Sequence, residues 1–314
     1  MNQQDFLFSF IFDQRPIRGV IVKLDQVIKT ILAQKDYPLA VQNLLSEALI
    51  AIVLLFNLSK ERGKMTLQFQ SHDQNLNHQD FKSSGLIKLL SVQCTYDCKL
   101  RALAQWDNPS DGDLNHELSF LELMGSQGQL VMTYQSESSL ERFQSMIPLT
   151  GESLSDSIRA YFCQSEQLKT FLKITATDHQ AAGMLLQLMP EGNLENNLEN
   201  NLENNLENNS QDHFSHLSIL ANTLTDQELL QDSPENLLHK LFHQDPIRVF
   251  EPRELYFGCT CSVERMQNAI LLMGPEESFK ILEGPDAKDS IEVKCEFCQN
   301  NYVFSRTEIE KLFK

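Results

Sequence analysis

Four cysteines near the end of this chain form two tight pairs, Cys259-Thr260-Cys261 and Cys295-Glu296-Phe297-Cys298. Four thiolates so arranged can close a tetrahedral zinc site. The second pair has the spacing of an ordinary zinc knuckle, whereas the single residue inside the first is fewer than such sites usually carry. A metal would hold these sulfurs deprotonated and electron-rich. A hypochlorite-like or peroxide oxidant would then convert one of them to a sulfenic acid, which a neighbouring thiol captures as a disulfide. An oxidised pair loses its metal ligands, so the same residues can serve as a staple or as a switch. On spacing alone the passive staple is the commoner case.

The module that carries them runs from about Leu255 to Lys314 and is near the size that folds poorly without a metal. A helix capped by Ser262 and ended near Gly274 follows the first pair. The second lies between short strands at Ile291 to Lys294 and Tyr302 to Ser305, and Ser305 with Glu308 reads as a capping box. Metal binding can supply about 10–16 kcal/mol to such a module, so losing the metal should unfold it. Its seven basic residues face ten acidic ones, which makes it a poor phosphate binder and argues against a nucleic-acid zinc ribbon.

The whole chain points the same way. Its 314 residues carry a formal net charge of -17, which opposes binding to nucleic acid or an anionic membrane. The longest apolar run, Ala48 to Phe56, is too short to span a bilayer, and no cationic segment precedes Phe6 to Phe12 as a secretory signal would require. A cytoplasmic protein is expected, whose seven cysteines are metal ligands, sensors or buried thiols rather than a disulfide framework.

Positioning the module falls to what precedes it. Alternating Phe6, Phe8, Phe10 and Phe12 and the Arg18 to Leu24 stretch read as strands. Val27, Ile28, Ile31 and Leu32 read as a helical stripe, and Pro38 opens a longer buried helix through Phe56. Alternation from Met65 to Tyr134 predicts a meandering antiparallel sheet, Leu154 to Phe162 a helix and Gly183 to Met189 a strand. The fold class expected is α+β, with a core domain over 1–190, a helical linker over 191–254 and a four-cysteine zinc domain over 255–314. Within the linker, Asn193 to Asn209 repeats Asn-Leu-Glu-Asn and reads as a flexible low-complexity insertion. Thr225 with Glu228, and Ser233 before Pro234, then start short amphipathic helices that cannot bury their stripes alone. Phe214, Leu217, Leu220, Leu237, Leu241 and Phe242 form that stripe, a candidate client-binding surface.

Other chemistry-bearing residues read as structural. Cys94 and Cys98, if on one strand, lie about 13 Å apart at their α-carbons, too far for a disulfide. Cys163 beside Phe162 reads as core, and His239 with His243 as solvated residues one helical turn apart. There is no Gly-rich phosphate loop and no nucleophile elbow, so no enzyme of those kinds is indicated. The residues themselves leave open a thiol-disulfide oxidoreductase, turning over at Cys295 and Cys298, and a zinc-ribbon adaptor.

The order Phe257-Gly-Cys259-Thr-Cys261-Ser-Val-Glu-Arg265, then Cys295-Glu-Phe-Cys298 and Tyr302-Val-Phe304, resembles the carboxy-terminal redox switch of the 33 kDa chaperonin family. Tyr161 to Leu168, Ala181 to Pro190, Arg18-Gly19 and Tyr37-Pro38 resemble its core signatures, so the likeness covers nearly the full length. It implies an ATP-independent holdase, not an enzyme, that binds unfolded clients under oxidative stress. By that resemblance the reduced form holds one zinc on Cys259, Cys261, Cys295 and Cys298 and is inactive. Disulfides Cys259-Cys261 and Cys295-Cys298 would form as zinc leaves, unfolding the switch and linker and activating a homodimer built through the amino-terminal domain. The Asn-Leu-Glu-Asn repeat and Ala182, where the family usually has glycine, depart from its pattern.

Overall fold

The computed structural model describes residues 5–13, 15–59, 62–70, 85–107, 118–125, 128–139, 141–190, 203–283 and 289–313. It divides into two compact units, Met1–Phe257 and Gly258–Lys314. In the first, strands β1 (Phe6–Phe12) and β2 (Ile17–Leu24) precede helices α1 (Gln26–Leu32) and α2 (Leu39–Phe56). Strands β3 (Gly63–Gln70), β4 (Ile87–Thr95) and β5 (Lys99–Trp106) follow, then α3 (Phe120–Met124), β6 (Gln129–Ser136) and β7 (Arg142–Ile147). Next come α4 (Leu154–Tyr161), a π-turn at Phe162–Glu166, β8 (Thr170–Ala176) and β9 (Ala181–Leu188). Helices α5 (Glu203–Asn222), α6 (Asp226–Gln231) and α7 (Pro234–Phe242) lead to three short strands, β10 (Ile247–Val249), β11 (Arg253–Glu254) and β12 (Tyr256–Phe257). The α+β class is as the sequence leads one to expect, and the antiparallel sheet expected over Met65 to Tyr134 is present as β3 to β6, while β1, β2 and β9 belong to a second sheet. One has the order β10-β1-β2-β9-β8 with β11 also on β1, and the other runs β12-β5-β4-β3-β6-β7.

Strand alternation decides what each face buries. Met65, Leu67, Phe69, Leu90, Val92 and Leu100 of the second sheet join α2 in the larger core. The first sheet is apolar on both sides: Leu7, Val20, Val22 and Leu185 face that core, while Phe6, Phe8, Phe10, Phe12, Ile17, Ile21, Met184 and Leu186 enter a separate cluster. Helix α2 is long and apolar enough to cross a membrane, yet most of it is buried as a core helix. It reaches the first sheet at Gly183, where an added β-carbon would stand 2.4 Å from Ile50. Arg18 reaches across from β2 to Gln187 and to the Leu58 carbonyl just beyond the end of α2.

The sheet's second face is covered by α5, α6 and α7 through Phe214, Leu217, Ala221, Leu229, Leu237, Leu241 and Phe242. Phe242 meets Phe12 edge-on at 5.4 Å and Phe10 at 6.5 Å between ring centres. Phe10 can lie flat there because Gly19 beneath it has no side chain, and a β-carbon would come within 2.1 Å of its ring. Two lysines on the sheet cap helix ends, where backbone carbonyls lack partners and carry partial negative charge. Lys23 Nζ donates to the carbonyls of Leu230 and Asp232, and Lys173 Nζ to the Leu224 carbonyl at 2.7 Å with Asp226 at 3.0 Å.

Positions 193–202 of the repeat lie outside the described residues. Its remainder, 203–209, is not a flexible insertion but the start of α5, because a helix nucleated by the docked turns after Ser210 propagates backwards at low cost. The capping box at Thr225 and Glu228 and the Ser233 cap before Pro234 are formed as expected.

One carboxylate sits awkwardly in this core. Burial pushes Glu47 of α2 up to about 7, and nearby Asn43 Oδ1 and Ser46 Oγ have no hydrogen-bond partner among the described residues. The folded state therefore favours the neutral acid, whose contribution to stability is full below pH 4.5 and is lost as pH rises through about 7. Glu47→Gln should leave stability unchanged near pH 4 and raise it by on the order of 3 kcal/mol at pH 8. Urea denaturation at the two pH values checks this, and equal effects at both would contradict it.

Candidate metal centre

The second unit contains α8 (Val263–Met273), α9 (Pro275–Glu283), β13 (Ser290–Lys294), β14 (Asn301–Ser305) and α10 (Arg306–Leu312). Its core is small: Ile270, Leu282, Ile291, Phe304 and Ile309 are the buried members, with Met266, Phe279, Val293 and Tyr302 packed around them. Strands β13 and β14 form a hairpin pairing Ile291 with Phe304 and Val293 with Tyr302.

Local geometry delivers both cysteine pairs to one point. Cys259 and Cys261 lie just ahead of α8, whose cap Ser262 accepts from the Arg265 N–H. The Arg265 guanidinium turns back to donate to both the carbonyl and the hydroxyl of Thr260, fixing the one-residue spacer. Cys295 opens the turn between β13 and β14: its N–H donates to the Asn300 carbonyl at 2.9 Å, and its own carbonyl accepts from the Gln299 N–H at 2.8 Å. Gln299 takes a left-handed φ of 59° to make that turn, which brings Cys298 round to face Cys295.

The four sulfurs lie within 4.8 Å of one another, the only such group of three or more metal-ligating side chains among the described residues. Cys259 and Cys295 sulfurs are 3.7 Å apart, and those of Cys261 and Cys298 3.4 Å. A tetrahedron with zinc–sulfur bonds of about 2.3 Å has edges of about 3.8 Å, so the set fits zinc. Four thiolates this close cannot all ionise without a cation. Burial raises Cys295 and Cys298, whereas at Cys259 hydrogen bonds from the Cys261 N–H and neighbouring sulfurs outweigh burial and bring the thiol down to about 7. A bound dication would remove that conflict.

Tyr302 and Arg265 belong to this site although sequence reasoning gave them no role. Tyr302 Oη donates to Cys261 Sγ at 3.0 Å, and that bond, with burial and the nearby sulfurs, pushes the phenol up to about 12. Both residues stand inside the quoted motifs. Only the fold shows that strand pairing and a helix start turn their polar ends toward the cluster.

The remaining candidates lie elsewhere. Cys94 and Cys98 are not on one strand: Cys94 pairs with Leu100 across a hairpin, and Cys98 sits in its turn with φ 62°. Both are buried, and burial pushes both thiols up, which makes them poor nucleophiles. Cys163 is exposed, not core, because the wider π-turn that begins at buried Phe162 rotates it outward. His239 of α7 and His243 at its C-cap are exposed, their rings 6.0 Å apart.

The chain is thus an α+β body followed in sequence by a small module whose four cysteines could hold a metal. The family model described as Hsp33 protein matches residues 5–305. A 33 kDa chaperonin of Neisseria meningitidis is 34% identical over 313 residues, covering all of this chain and 93% of the relative. One from Nitrosococcus oceani is 35% identical, covering all of this chain and 96% of the relative. The crystal structure of the 33 kDa chaperonin (heat shock protein 33 homolog) of Thermotoga maritima superposes with a TM-score of 0.75 at 21% identity, over 98% of each chain, and so shares the fold. The chain belongs to the Hsp33 family.

Removing the metal tests the site. With only a few buried side chains of its own, the second unit should lose the amide protection of β13 and β14 when a chelator acts under reducing conditions, and Cys295→Ser should do the same without chelator. Hydrogen exchange measures both. Full protection after metal removal would show that the unit folds without it.

Proposed function

We propose that this protein is a redox-regulated, ATP-independent holdase of the cytoplasm, which captures unfolding proteins during oxidative stress and is not an enzyme. The observation that carries the reading is the convergence of four thiols on one centre, in a unit whose own core is too small to outlast its loss. In the reduced state Cys259, Cys261, Cys295 and Cys298 would hold one zinc, which supplies charge neutralisation and a cross-link to the fold. Disulfides Cys259-Cys261 and Cys295-Cys298 would each withdraw two ligands. The module then unfolds as its cross-link is lost.

The consequence for the first unit follows from connectivity. Only Gly258 separates Cys259 from β12, whose Tyr256 and Phe257 pair with β5, and β11 and β10 lie immediately before it. Short α6 and α7 have little helical stability of their own and depend on docking. Fraying that enters at β12 would weaken their seat, release residues 203–257 as a linker and bare the sheet face of Phe6, Phe8, Phe10 and Phe12 together with the stripe of Phe214, Leu217, Leu237, Leu241 and Phe242. Contiguous apolar surface of this size is what unfolded clients bind. The same exposure supports a homodimer in the oxidised state, and the acidic charge of -17 supports neither nucleic acid nor membrane as a partner.

Light scattering of a heat-unfolded client, with released zinc measured in parallel, tests the proposal. Oxidised protein should suppress aggregation and release about one zinc per chain, while reduced protein should do neither. Equal suppression in both states would remove the switch. Reductase turnover that survives in a Cys259→Ser, Cys261→Ser chain would assign the thiols to catalysis instead.

A further inference from the structure

The hydrogen bond from Tyr302 to Cys261 is selective. Among the described residues, Cys295 and Cys298 receive no side-chain hydrogen bond from outside the cluster. The ring of Tyr302 is held independently of that bond, by the β14 pairing with Val293 and by packing on the module's apolar cluster. Its hydroxyl is thus presented to one sulfur of four at 3.0 Å from a paired strand.

We propose that Tyr302 is a positioning residue that guards Cys261, setting how readily the Cys259–Cys261 pair is oxidised and how firmly it keeps its metal. This rests on the switch reading above. Forming that disulfide with a peroxide takes two displacements. One thiolate attacks a peroxide oxygen and expels hydroxide, becoming a sulfenic acid; the second attacks the sulfenic sulfur and expels another hydroxide as the S–S bond forms. The pair loses two electrons, and the peroxide, taking them with two protons, becomes two waters. If Cys259 meets the peroxide first, Cys261 makes the second attack; if Cys261 meets it first, Cys261 makes the first. Every route therefore spends one lone pair of Cys261, the atom that Tyr302 Oη engages. A charge-assisted hydrogen bond lowers the availability of that pair, and outer-shell partners of metal ligands typically change metal affinity about 10–100-fold. No route to the Cys295–Cys298 disulfide involves this sulfur.

The test uses the full-length reduced chain loaded with zinc, in three forms: unsubstituted, Tyr302→Phe, and with 3-fluorotyrosine at position 302 alone. Substoichiometric hydrogen peroxide is added, the two disulfides are timed by differential alkylation and mass spectrometry, and zinc extraction by a chromogenic chelator is timed separately without oxidant. Tyr302→Phe should form Cys259–Cys261 about tenfold faster and yield zinc about tenfold faster, with the Cys295–Cys298 rate unchanged. The fluorinated ring fills the same space with a stronger O–H donor and should slow both quantities below the unsubstituted chain. Equal rates in all three forms overturn the assignment. So does equal acceleration of both disulfides, which would mark general loosening of the module. If the unsubstituted chain keeps its zinc when fully oxidised, the switch reading falls, and the role of Tyr302 is then decided by chelator extraction alone.

Discussion

A β-sheet that is apolar on both faces must be covered on both, and in this protein the two covers differ in kind. One is α2, an 18-residue helix buried between two sheets and tied in by Arg18 and by the close approach at Gly183. The other is made of α5 to α7, held by a stripe of leucines and phenylalanines and by two lysines that reach helix ends. Each fully buried Leu or Phe in that stripe contributes about 1.5–3 kcal/mol, an upper range because unfolded chains already bury some apolar surface. The stripe is strong while docked, yet α6 and α7 have only 6 and 9 residues and would not persist without the sheet. Docking and helicity therefore stand or fall together, and under the proposed switch this would let a large apolar face be hidden in one state and offered in another.

The second unit has the opposite weakness. Its polar work is done well, with capped helices and a tight Cys295–Gln299 turn, but its apolar core is too slight for a module of its length. Four thiols within 4.8 Å repel one another when ionised, so without a cation they oppose folding, and with one they become its main support. A module so dependent on its sulfurs is suited to the switch proposed above, in which their oxidation would unfold it. The Tyr302 hydroxyl bonds Cys261 directly, and the Arg265 guanidinium holds the Thr260 spacer between the first two thiols.

How much of this could be read from residues alone differs by element. Caps at Thr225, Ser233, Ser262 and Ser305 were legible because capping is local: a side chain and an N–H three residues on decide it. The cysteine cluster was legible because ligand types and spacing are local as well. The division into two sheets was not, since the alternation of β3 to β7 is the same whether they join β1 and β2 or form a layer of their own. Cys94 and Cys98 are the buried free thiols they read as, but the hairpin turn between them was not legible, because it contains no glycine and its left-handed position is filled by Cys98 itself. Cys163 misled because a π-turn shifts the helical phase by a fraction of a turn, which periodicity does not record. The start of α5 inside the Asn-Leu-Glu-Asn repeat reflects propagation from a docked helix into residues of poor intrinsic propensity.

Under the proposed switch, the docking of α5 to α7 depends on the thiol centre that follows them in the chain. Hydrogen exchange of the zinc-loaded reduced protein and the fully oxidised protein, compared peptide by peptide, addresses it most directly. Protection in α5 to α7 and in β10 to β12 should be lost on oxidation, while α2 and β3 to β6 keep theirs. Loss confined to residues 258–314, with α5 to α7 as protected as before, would contradict the account.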